Sequence, residues 1–256
     1  MDRAPMSSDR QHELEFRDFT EASYRDLLRL AKASYRYVDF STVGASRTIL
    51  WRHDCDASMH RALKLAAIEA EEGVKATYFL FPRCLYYNLM SADVAQCVRR
   101  IKSLGHDIAL HFDPTYYGET LRGQALLQAI TRERDLIAGE FGSPPVAISF
   151  HLFGILDPSE LEDDIIAGMV NAYGRALRAS YGYVSDSNGV WRHRRLKTVL
   201  EQATDDRLQV LTHPEWWTPE VMPPRARLQR AIDGYASAMG RWYDEITATH
   251  DRPNIR

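Results

Sequence analysis

The strongest constraint on the fold of this 256-residue chain is a regular alternation of short apolar runs with longer amphipathic stretches. A short apolar run bounded by turn residues is typical of a buried strand, and apolar residues three and four apart are typical of a covering helix. Their alternation predicts a parallel sheet with helices packed on it. The predicted strands are Thr48–His53, Lys75–Phe81, His106–His111, Val146–His151, Gly182–Ser185 and Leu208–His213.

The stretches between and around these strands have helical periodicity. The predicted helices are Met59–Glu72, Ala92–Leu104, Glu119–Phe141, Arg195–Ala203 and Pro224–Ile246, together with an entry helix that begins at Thr20. No change in composition and no repeat divides the chain, so we predict a flexible N-terminal segment over residues 1–18 and one α/β domain over residues 19–256. A barrel-like closure is the more economical arrangement, although an open doubly wound sheet fits the same periodicity.

Composition and charge exclude several classes of protein. The chain has 32 Lys and Arg residues against 35 Asp and Glu residues, which gives no electrostatic basis for binding nucleic acid. No apolar run approaches the roughly 18 residues that cross a bilayer, so no transmembrane segment is predicted. The first residues lack the apolar stretch of a secretory signal, and the three cysteines form no disulfide or CxxC pattern. These features predict a cytoplasmic protein.

Acidic and imidazole side chains are concentrated where the predicted strands end. Asp54 and Asp56 follow the first strand, His111 and His151 end two others, and His213 ends the last one. The carboxyl ends of parallel strands meet at one edge of the sheet, where α/β proteins bind ligands. We therefore expect these side chains to face a common space.

Two imidazoles and one carboxylate form the ligand set that leaves an open position on a catalytic divalent ion such as zinc. Alternatives exist for each candidate ligand. Asp56 or Ser58 could cap the helix that follows, and a single histidine at a strand end could be a hydrogen-bonded core or surface residue. Asp113 could supply a competing oxygen ligand, or it could start the turn before Pro114.

The end of the last predicted strand adds a histidine that could act as a general acid, followed by two tryptophans. His213 precedes Pro214, which keeps it extended, and an imidazole suits a general acid near neutral pH. Trp216 and Trp217 follow, and flat rings can stack on the apolar faces of sugars, although core packing is their commoner role. Basic residues between Arg192 and Lys197, with the later Arg225, Arg227 and Arg230, could hold a phosphate or diphosphate, but we interpret them as solvated surface residues.

The runs ILWRHDCDAS, IEAEEGVKATYFLF, LGHDIALHFD, SFH, SDSNGVW and LQVLTHPEWW, taken together and in this order, resemble the polysaccharide deacetylase family. These proteins are carbohydrate esterases of the family-four type. The likeness extends from about Thr48 to Trp217 and is greatest to a divergent branch with an RHDxD first motif. It implies a single-domain distorted (β/α) barrel that hydrolyses an acetyl group.

The resemblance assigns roles to residues at two of the strand ends. The first motif places the catalytic base at Asp54 and a metal ligand at Asp56, although Cys55 separates acids that are usually adjacent in the family. The late strand places the catalytic histidine at His213. Substrate-binding or supporting residues are implied at Asp186, Trp191, Trp216 and Trp217.

The second motif departs from the family pattern. His111 matches its first histidine, but Thr115 stands where the second histidine is expected and is a poor ligand for zinc. We infer that His151 replaces it, so that Asp56, His111 and His151 would hold one divalent ion, for which we predict zinc. The arginine of the family's RxP motif has no clear counterpart in this sequence.

The implied reaction is metal-dependent removal of an acetyl group, expected to be an N-acetyl group, from a sugar or sugar-containing intermediate of surface polysaccharide biosynthesis. The expected partner is an N-acetylated sugar, either small or linked to a nucleotide or lipid. Two other hypotheses stay open. The chain could be a metal-dependent hydrolase of a non-sugar amide, or a non-catalytic carbohydrate-binding relic that has lost the second-motif histidine and the arginine.

Overall fold

Nine strands form one sheet within residues 16–118 and 121–255, the part of the chain that the computed structural model describes. The strands are β1 (Arg36–Val38), β2 (Thr48–Asp54), β3 (Thr77–Leu80), β4 (Asp107–Phe112), β5 (Ala147–Phe150), β6 (Ile165–Ile166), β7 (Met169–Asn171), β8 (Gly182–Ser185) and β9 (Arg207–Thr212). Their spatial order is β6-β7-β5-β4-β3-β2-β9-β8, and β1 pairs with the first half of β2. All pairs are parallel except β6 with β7.

Helices connect most of these strands. They are α1 (Glu21–Ser34), α2 (Met59–Glu71), α3 (Ala92–Ser103), α4 (Gly123–Phe141), α5 (Arg175–Ser180), α6 (Leu196–Gln202) and α7 (Pro224–Thr249). The six predicted strands and the six predicted helices are confirmed, with ends that differ by a few residues. The helix predicted from Glu119 begins at Gly123, and Glu119 itself lies outside the described residues. No helix in the described ranges is long and apolar enough to cross a bilayer.

Some elements were not predicted. β1, β6, β7 and α5 have two to six residues each, which is too short to display a periodic pattern. In the N-terminal segment that we predicted as flexible, residues 1–15 lie outside the described part, and Arg17–Phe19 form a 3-10 helix. The unpredicted strands β6 and β7 change the predicted architecture little, because they only extend one edge of the sheet.

The sheet curls until strands that are distant in its order face each other across an interior. On β9, Gln209 donates a hydrogen bond from Nε2 to the carbonyl oxygen of Ala172, which follows β7, at 3.1 Å. Four strands separate β7 from β9 in the sheet order, so this bond crosses the inside of a barrel. No strand pairing joins β7 or β6 to β8 in the described residues, and the barrel is therefore open on one side. The predicted single-domain distorted (β/α) barrel is confirmed.

Both faces of β2 are buried, in two different layers. Ile49 packs in the large core beneath the helices, whereas Leu50 joins a smaller cluster with Phe79 inside the barrel. Successive side chains of a strand point to opposite faces. Arg52 and Asp54 therefore follow Leu50 on the inner face, and Asp54 reaches the mouth of the barrel where the strand ends.

The outer face of β2 carries a buried hydrogen-bonded network. Glu69 on α2 is fully buried and accepts hydrogen bonds from the hydroxyls of Tyr24 and Tyr78, the latter at 2.6 Å. Its Oε1 also lies 2.6 Å from Nε2 of His53. Nδ1 of His53 is in turn 2.7 Å from the hydroxyl of Thr212 on β9. One carboxylate thus links two helices to three strands directly behind the barrel mouth.

Candidate metal centre and active site

Five polar side chains meet at the mouth of the barrel. Asp54 ends β2, His111 lies near the end of β4, and His151 and His213 directly follow β5 and β9. Asp56 lies two residues beyond β2. These strands run parallel in one curled sheet, so their ends bring together residues that are far apart in the sequence.

The turn between β2 and α2 explains why Asp56 is available to this group. Ser58, and not Asp56, caps α2, because its side chain accepts a hydrogen bond from the backbone N–H of Arg61 at 3.3 Å. Cys55 points back into the core, and its backbone N–H continues the pairing with β3 by donating to the carbonyl of Phe79 at 3.0 Å. Asp56 is left free of a capping role and faces the histidines.

Asp56, His111 and His151 form a compact group of three possible metal ligands. Nε2 of His111 lies 3.1 Å from Oδ1 of Asp56 and 3.2 Å from Nδ1 of His151. Nδ1 of His151 lies 3.5 Å from Oδ2 of Asp56. In a tetrahedral zinc site with bonds of about 2.0–2.1 Å, ligand atoms are about 3.3–3.4 Å apart. The three spacings are close to that value, with Oδ1 of Asp56 facing His111 and Oδ2 facing His151.

The chemistry of these atoms also fits a cation. Oδ1 of Asp56 is buried and has no hydrogen-bond partner in the described part of the chain, although Nε2 of His111 is close to it. A buried carboxylate oxygen without a hydrogen bond is costly unless a cation satisfies it. Burial raises the pKa of Asp56, but the neighbouring His111 and His151 outweigh it and hold that pKa well below its usual range. The residues therefore fit a divalent ion.

A hydrogen bond at Nδ1 of His111 orients its ring so that Nε2 can bind a metal ion. The hydroxyl of Ser149 donates to Oδ1 of Asp54 at 3.2 Å and lies 2.6 Å from Nδ1 of His111. A hydroxyl has one hydrogen, so Nδ1 of His111 must be the donor in the second contact. This assignment leaves Nε2 of His111 unprotonated, with its lone pair directed toward Asp56 and His151. In metal sites, a hydrogen-bond partner on the second ring nitrogen of a ligating histidine orients the imidazole in this way.

The alternative ligand Asp113 has another function in the structure. Its Oδ1 accepts hydrogen bonds from the backbone N–H of Thr115 at 2.8 Å and from the hydroxyl of Thr115 at 2.6 Å. Asp113 thus starts the turn before Pro114, which was the second of the two interpretations of this residue. The group of possible ligands contains His151 and not Asp113.

Asp54 lies beside the three possible ligands without belonging to their group. Its side chain is buried, and Oδ2 lies 3.5 Å from Nδ1 of His111. Nη2 of Arg52 is 3.6 Å from the same oxygen. We had found no counterpart of the family's arginine in the sequence, but Arg52 places a guanidinium next to this acid. The signal was present in the RHD run, because residues two apart on a strand share a face.

Arg52 and Asp54 should be energetically coupled. Arg52 is fully buried, donates a hydrogen bond to the hydroxyl of Tyr173 at 2.7 Å, and lies over the rings of Tyr173 and Phe79. Replacing Arg52 by Met removes the cation that faces a buried carboxylate, so we expect a lower free energy of unfolding. Urea unfolding of Arg52→Met, Asp54→Asn and the double variant should give a coupling energy of about 1–3 kcal/mol. Additive losses would show that the two side chains do not interact.

His213 is held by a buried acid. Its Nδ1 lies 2.6 Å from Oδ1 of Asp186, and its backbone N–H also donates to that carboxylate. Trp217 donates from Nε1 to Oδ2 of Asp186 at 3.0 Å. Burial lowers the pKa of His213, but the charge of Asp186 and the hydrogen bond to it outweigh this effect and raise that pKa well above its usual value. Nε2 of His213 is directed to the site, 3.8 Å from Oδ2 of Asp56.

An open cavity of about 650 Å³ covers the group. It is lined by Asp54, Asp56, His111, His151 and His213 and by further side chains from β8 and the segments after β5, β7, β8 and β9. Those that could contact a ligand include Tyr173, Tyr183, Arg192, His193 and Trp216. Tyr173 and Tyr183 were not singled out in the sequence, because single tyrosines carry no spacing signal.

The predicted substrate-contact residues divide into two sets. Trp216 lines the cavity. Trp217 and Asp186 are fully buried behind His213 and are not among the residues that line this cavity. Trp191 also lies behind it, where its ring stacks on Phe19 at 5.0 Å between centroids and its Nε1 donates to Asp18 at 3.0 Å. The geometry gives these three residues a supporting position, because Asp186 holds His213, Trp217 bonds to Asp186, and Trp191 packs on Trp217.

Solved structures similar to this chain are carbohydrate deacetylases and esterases. They include a family 4 carbohydrate esterase from Streptomyces lividans in complex with acetate, with 19% identity, coverage of 76% of this chain and 91% of that chain, and a TM-score of 0.38. The catalytic domain of a peptidoglycan N-acetylglucosamine deacetylase from Eubacterium rectale has 16% identity, coverage of 78% and 88%, and a TM-score of 0.43. A polysaccharide deacetylase from Bacillus cereus has 14% identity, coverage of 75% and 88%, and a TM-score of 0.42.

The family to which the sequence bears a resemblance is thus also found among similar solved structures. No protein-family model and no curated protein matches the chain. The likeness to the RHDxD branch stays a prediction. Because the identities and TM-scores are low, the function is inferred below from the geometry of the site.

Proposed function

We propose that this protein is a metal-dependent carbohydrate deacetylase that hydrolyses an N-acetyl group. One observation carries the proposal. Asp56, His111 and His151 have the spacing of a three-ligand catalytic metal site, and a further acid, Asp54, and a further histidine, His213, lie beside them. Three protein ligands leave an open position, which distinguishes a catalytic site from a closed structural one.

A bound metal ion and the carboxylate of Asp54 would share the activation of water. A divalent ion, for which we propose zinc, would be held by Asp56, His111 and His151, and it would lower the pKa of bound water and polarise an acetyl carbonyl. Asp54 accepts the proton of the attacking water as general base. Its position supports this role, because the carboxylate is buried next to the ligands and is held by Ser149 and the nearby Arg52.

His213 is proposed as the general acid. An amine leaves poorly as an anion, so a proton must reach the nitrogen as the carbon–nitrogen bond breaks. Asp186 fixes Nδ1 of His213 at 2.6 Å and leaves Nε2 facing the cavity. In this arrangement Asp186 and Trp217 position the imidazole, while the imidazole alone reaches the substrate. The products are acetate and a free amino sugar.

The cavity supports a sugar-sized substrate. Its volume of about 650 Å³ lies in the usual range of small-molecule sites. Trp216 and Tyr183 line it, and aromatic rings of this kind stack on the apolar faces of sugars. We propose a small, nucleotide-linked or lipid-linked N-acetylated sugar that is used to make a surface polysaccharide, and a cytoplasmic location, as the sequence predicts.

The two competing hypotheses differ in what they require of the site. The relic hypothesis was based on a missing second-motif histidine and a missing arginine. His151 and Arg52 supply an imidazole and a guanidinium at the barrel mouth, which favours a catalytic protein over a relic. Hydrolysis of a non-sugar amide would use the same groups, and it differs only in the product that is released.

The experiment that tests the proposal measures released acetate after reconstitution with one equivalent of zinc. A panel of N-acetylated sugars is compared with simple ureides, for which ammonia is measured instead. We expect acetate from at least one sugar. Asp54→Asn and His213→Asn should each lower kcat by about 100- to 10,000-fold, the usual range for general acid–base groups.

Metal content separates a catalytic role from a structural one. Both variants should still bind zinc in the amount that the unsubstituted protein binds, because neither residue belongs to the ligand group. His250→Asn on the exposed end of α7 serves as the control and should keep full activity. Full turnover by either active-site variant, or acetate release that survives chelation, would contradict the proposal.

A further inference from the structure

A second cavity, of about 290 Å³, lies on the other side of the segments that carry Asp56 and His213. Its wall includes residues 57–61, which lead into and begin α2, together with Glu215 and one face of α7 that carries Arg227 and Arg241. The deacetylation proposed above uses none of these side chains. Three of them, Arg61, Glu215 and Arg227, have buried polar atoms without a hydrogen-bond partner in the described residues.

Arg227 is the main anomaly of this cavity. Its side chain is only 1% exposed, and Nη2 donates to the carbonyl oxygen of Phe16 at 2.9 Å. Nε and Nη1 are buried without a hydrogen-bond partner among the residues that the structure describes, and no ion pair joins Arg227 to an acid there. Burial lowers the pKa of Arg227 to about 10. The charge of Asp186 only partly opposes this effect. A buried guanidinium without a bonded anion is costly, and a bound anion would reduce that cost.

Glu215 lies on the same wall and presents a second unsatisfied atom. It is 3% exposed, and its Oε2 has no hydrogen-bond partner in the described ranges. Burial, followed by the charge of Asp56, raises the pKa of Glu215 to about 8. A buried carboxyl oxygen without a hydrogen-bond partner is costly unless a ligand supplies one.

The amino-terminal end of α2 adds a third contribution. The helix has 13 residues, and its first turn lines the cavity. The first backbone N–H groups of a helix have no partner within the helix, and they favour anions together with the helix dipole. The charged side chains that line the cavity are four arginines, Arg61, Arg227, Arg230 and Arg241, against two acids, Asp93 and Glu215.

We propose that this cavity is a binding site for a phosphate group, either inorganic phosphate or the phosphate of a small monoester. Arg227 lines the cavity, and the charge of its guanidinium favours an anion there. Arg241 contributes charge from the rim, and the first turn of α2 offers backbone donors. The volume is at the lower end of the range for ligand sites, which fits a small ligand.

The test is isothermal titration calorimetry of the full chain at pH 7. Metal is removed beforehand with a chelator, so that phosphate cannot bind to an ion held by Asp56. The probes are inorganic phosphate, glycerol phosphate and acetate. We expect one phosphate per chain, and we expect acetate to bind at least about 10-fold more weakly. Tighter binding of glycerol phosphate would identify an organic monoester, and equal binding of both would identify the phosphate group alone.

Two arginines on α7 make a matched pair for this test. Arg227→Gln should weaken phosphate binding by at least about 10-fold, because it removes the positive charge of a buried guanidinium in the cavity wall. Arg225→Gln should leave the affinity unchanged, because Arg225 is exposed, is bonded to Gln229 and does not line the cavity. If Arg227→Gln does not fold, Arg241→Gln on the exposed rim replaces it, with an expected loss of about 3-fold or more. The proposal fails if the unsubstituted protein binds no phosphate, if acetate binds equally well, or if the folded cavity variant keeps its affinity.

Discussion

Replacing Asp56 by Ala should abolish both metal binding and acetate release. Asp56 is the only carboxylate in the group of three possible ligands, and its two oxygens lie 3.1 and 3.5 Å from the nearest nitrogens of His111 and His151. Without it, two neutral imidazoles would have to hold a divalent cation alone. Loss of a residue that only supports a ligand already lowers metal affinity by about 10- to 100-fold, and loss of the ligand itself should exceed that.

The measurements are zinc content after dialysis and acetate release with added zinc. We expect less than one tenth of an equivalent of bound zinc and a fall in kcat/KM of more than about 100-fold, since the water and carbonyl lose the ion that activates them. Chelation of the unsubstituted protein should give the same loss, and added zinc should reverse it.

Asp113→Ala is the matched control for this prediction. Asp113 is a nearby acid that the sequence offered as a competing ligand, but its Oδ1 caps a turn by bonding to Thr115. The substitution should cost about 1 kcal/mol of stability, as the loss of a cap does, and should leave zinc content unchanged. Loss of zinc in Asp113→Ala together with retention in Asp56→Ala would reverse the assignment of the carboxylate ligand.

Replacing Glu69 by Ala should lower the free energy of unfolding by about 3–5 kcal/mol. The side chain is fully buried and is the common partner of His53 and of the hydroxyls of Tyr24 and Tyr78. Removing it leaves a buried imidazole and two hydroxyls without their acceptor, and it also opens a small cavity. Urea unfolding followed by circular dichroism measures the loss.

The neighbouring acid Glu71 provides the control on the same helix. Its exposed side chain pairs with Arg25, and exposed ion pairs contribute about 0–1 kcal/mol. Glu71→Ala should therefore have a small effect. Equal losses for the two variants would show that the buried network does not stabilise the fold.

The same network predicts a dependence of stability on pH. Burial raises the pKa of Glu69, but the charge of His53 and the hydrogen bonds from its partners outweigh this and lower that pKa below its usual value. A carboxylate with a lowered pKa stabilises the fold above its unfolded pKa of about 4.3, and the contribution is lost as pH falls through its folded pKa. The unsubstituted protein should lose stability below about pH 4 more steeply than Glu69→Gln.

The candidate site was predictable in part. Strand ends in an alternating pattern must meet at one edge, so the positions of Asp54, Asp56 and the three histidines already indicated a shared location. The register and twist of the strands decide which of these side chains come within ligand distance, and sequence periodicity predicts neither. The choice of His151 over Asp113 was therefore left to the structure, where a turn uses the oxygen of Asp113.

The surroundings of the site were less predictable. Strand alternation places Arg52 on the same face as Asp54, so the RHD run already indicated that the two side chains lie close together. Trp217 and Trp191 follow strand ends in the sequence, yet they pack behind His213 instead of lining the cavity, because only the folded chain decides which side of a loop faces the core. The proposed phosphate site is formed by α2 and α7, which are about 150 residues apart in the sequence, and no local sequence pattern connects them.

The sequence by itself determined the class of the fold, the positions of the six main strands, and the set of acids and imidazoles at their ends. These features follow from local periodicity, which a linear chain displays directly. The tertiary structure alone decided that the sheet curls into an open barrel, that three particular side chains come within ligand distance, and that Arg227 is buried without an acidic partner in the described residues. These properties depend on distances between segments that are remote in the sequence, and such distances exist only once the chain has packed.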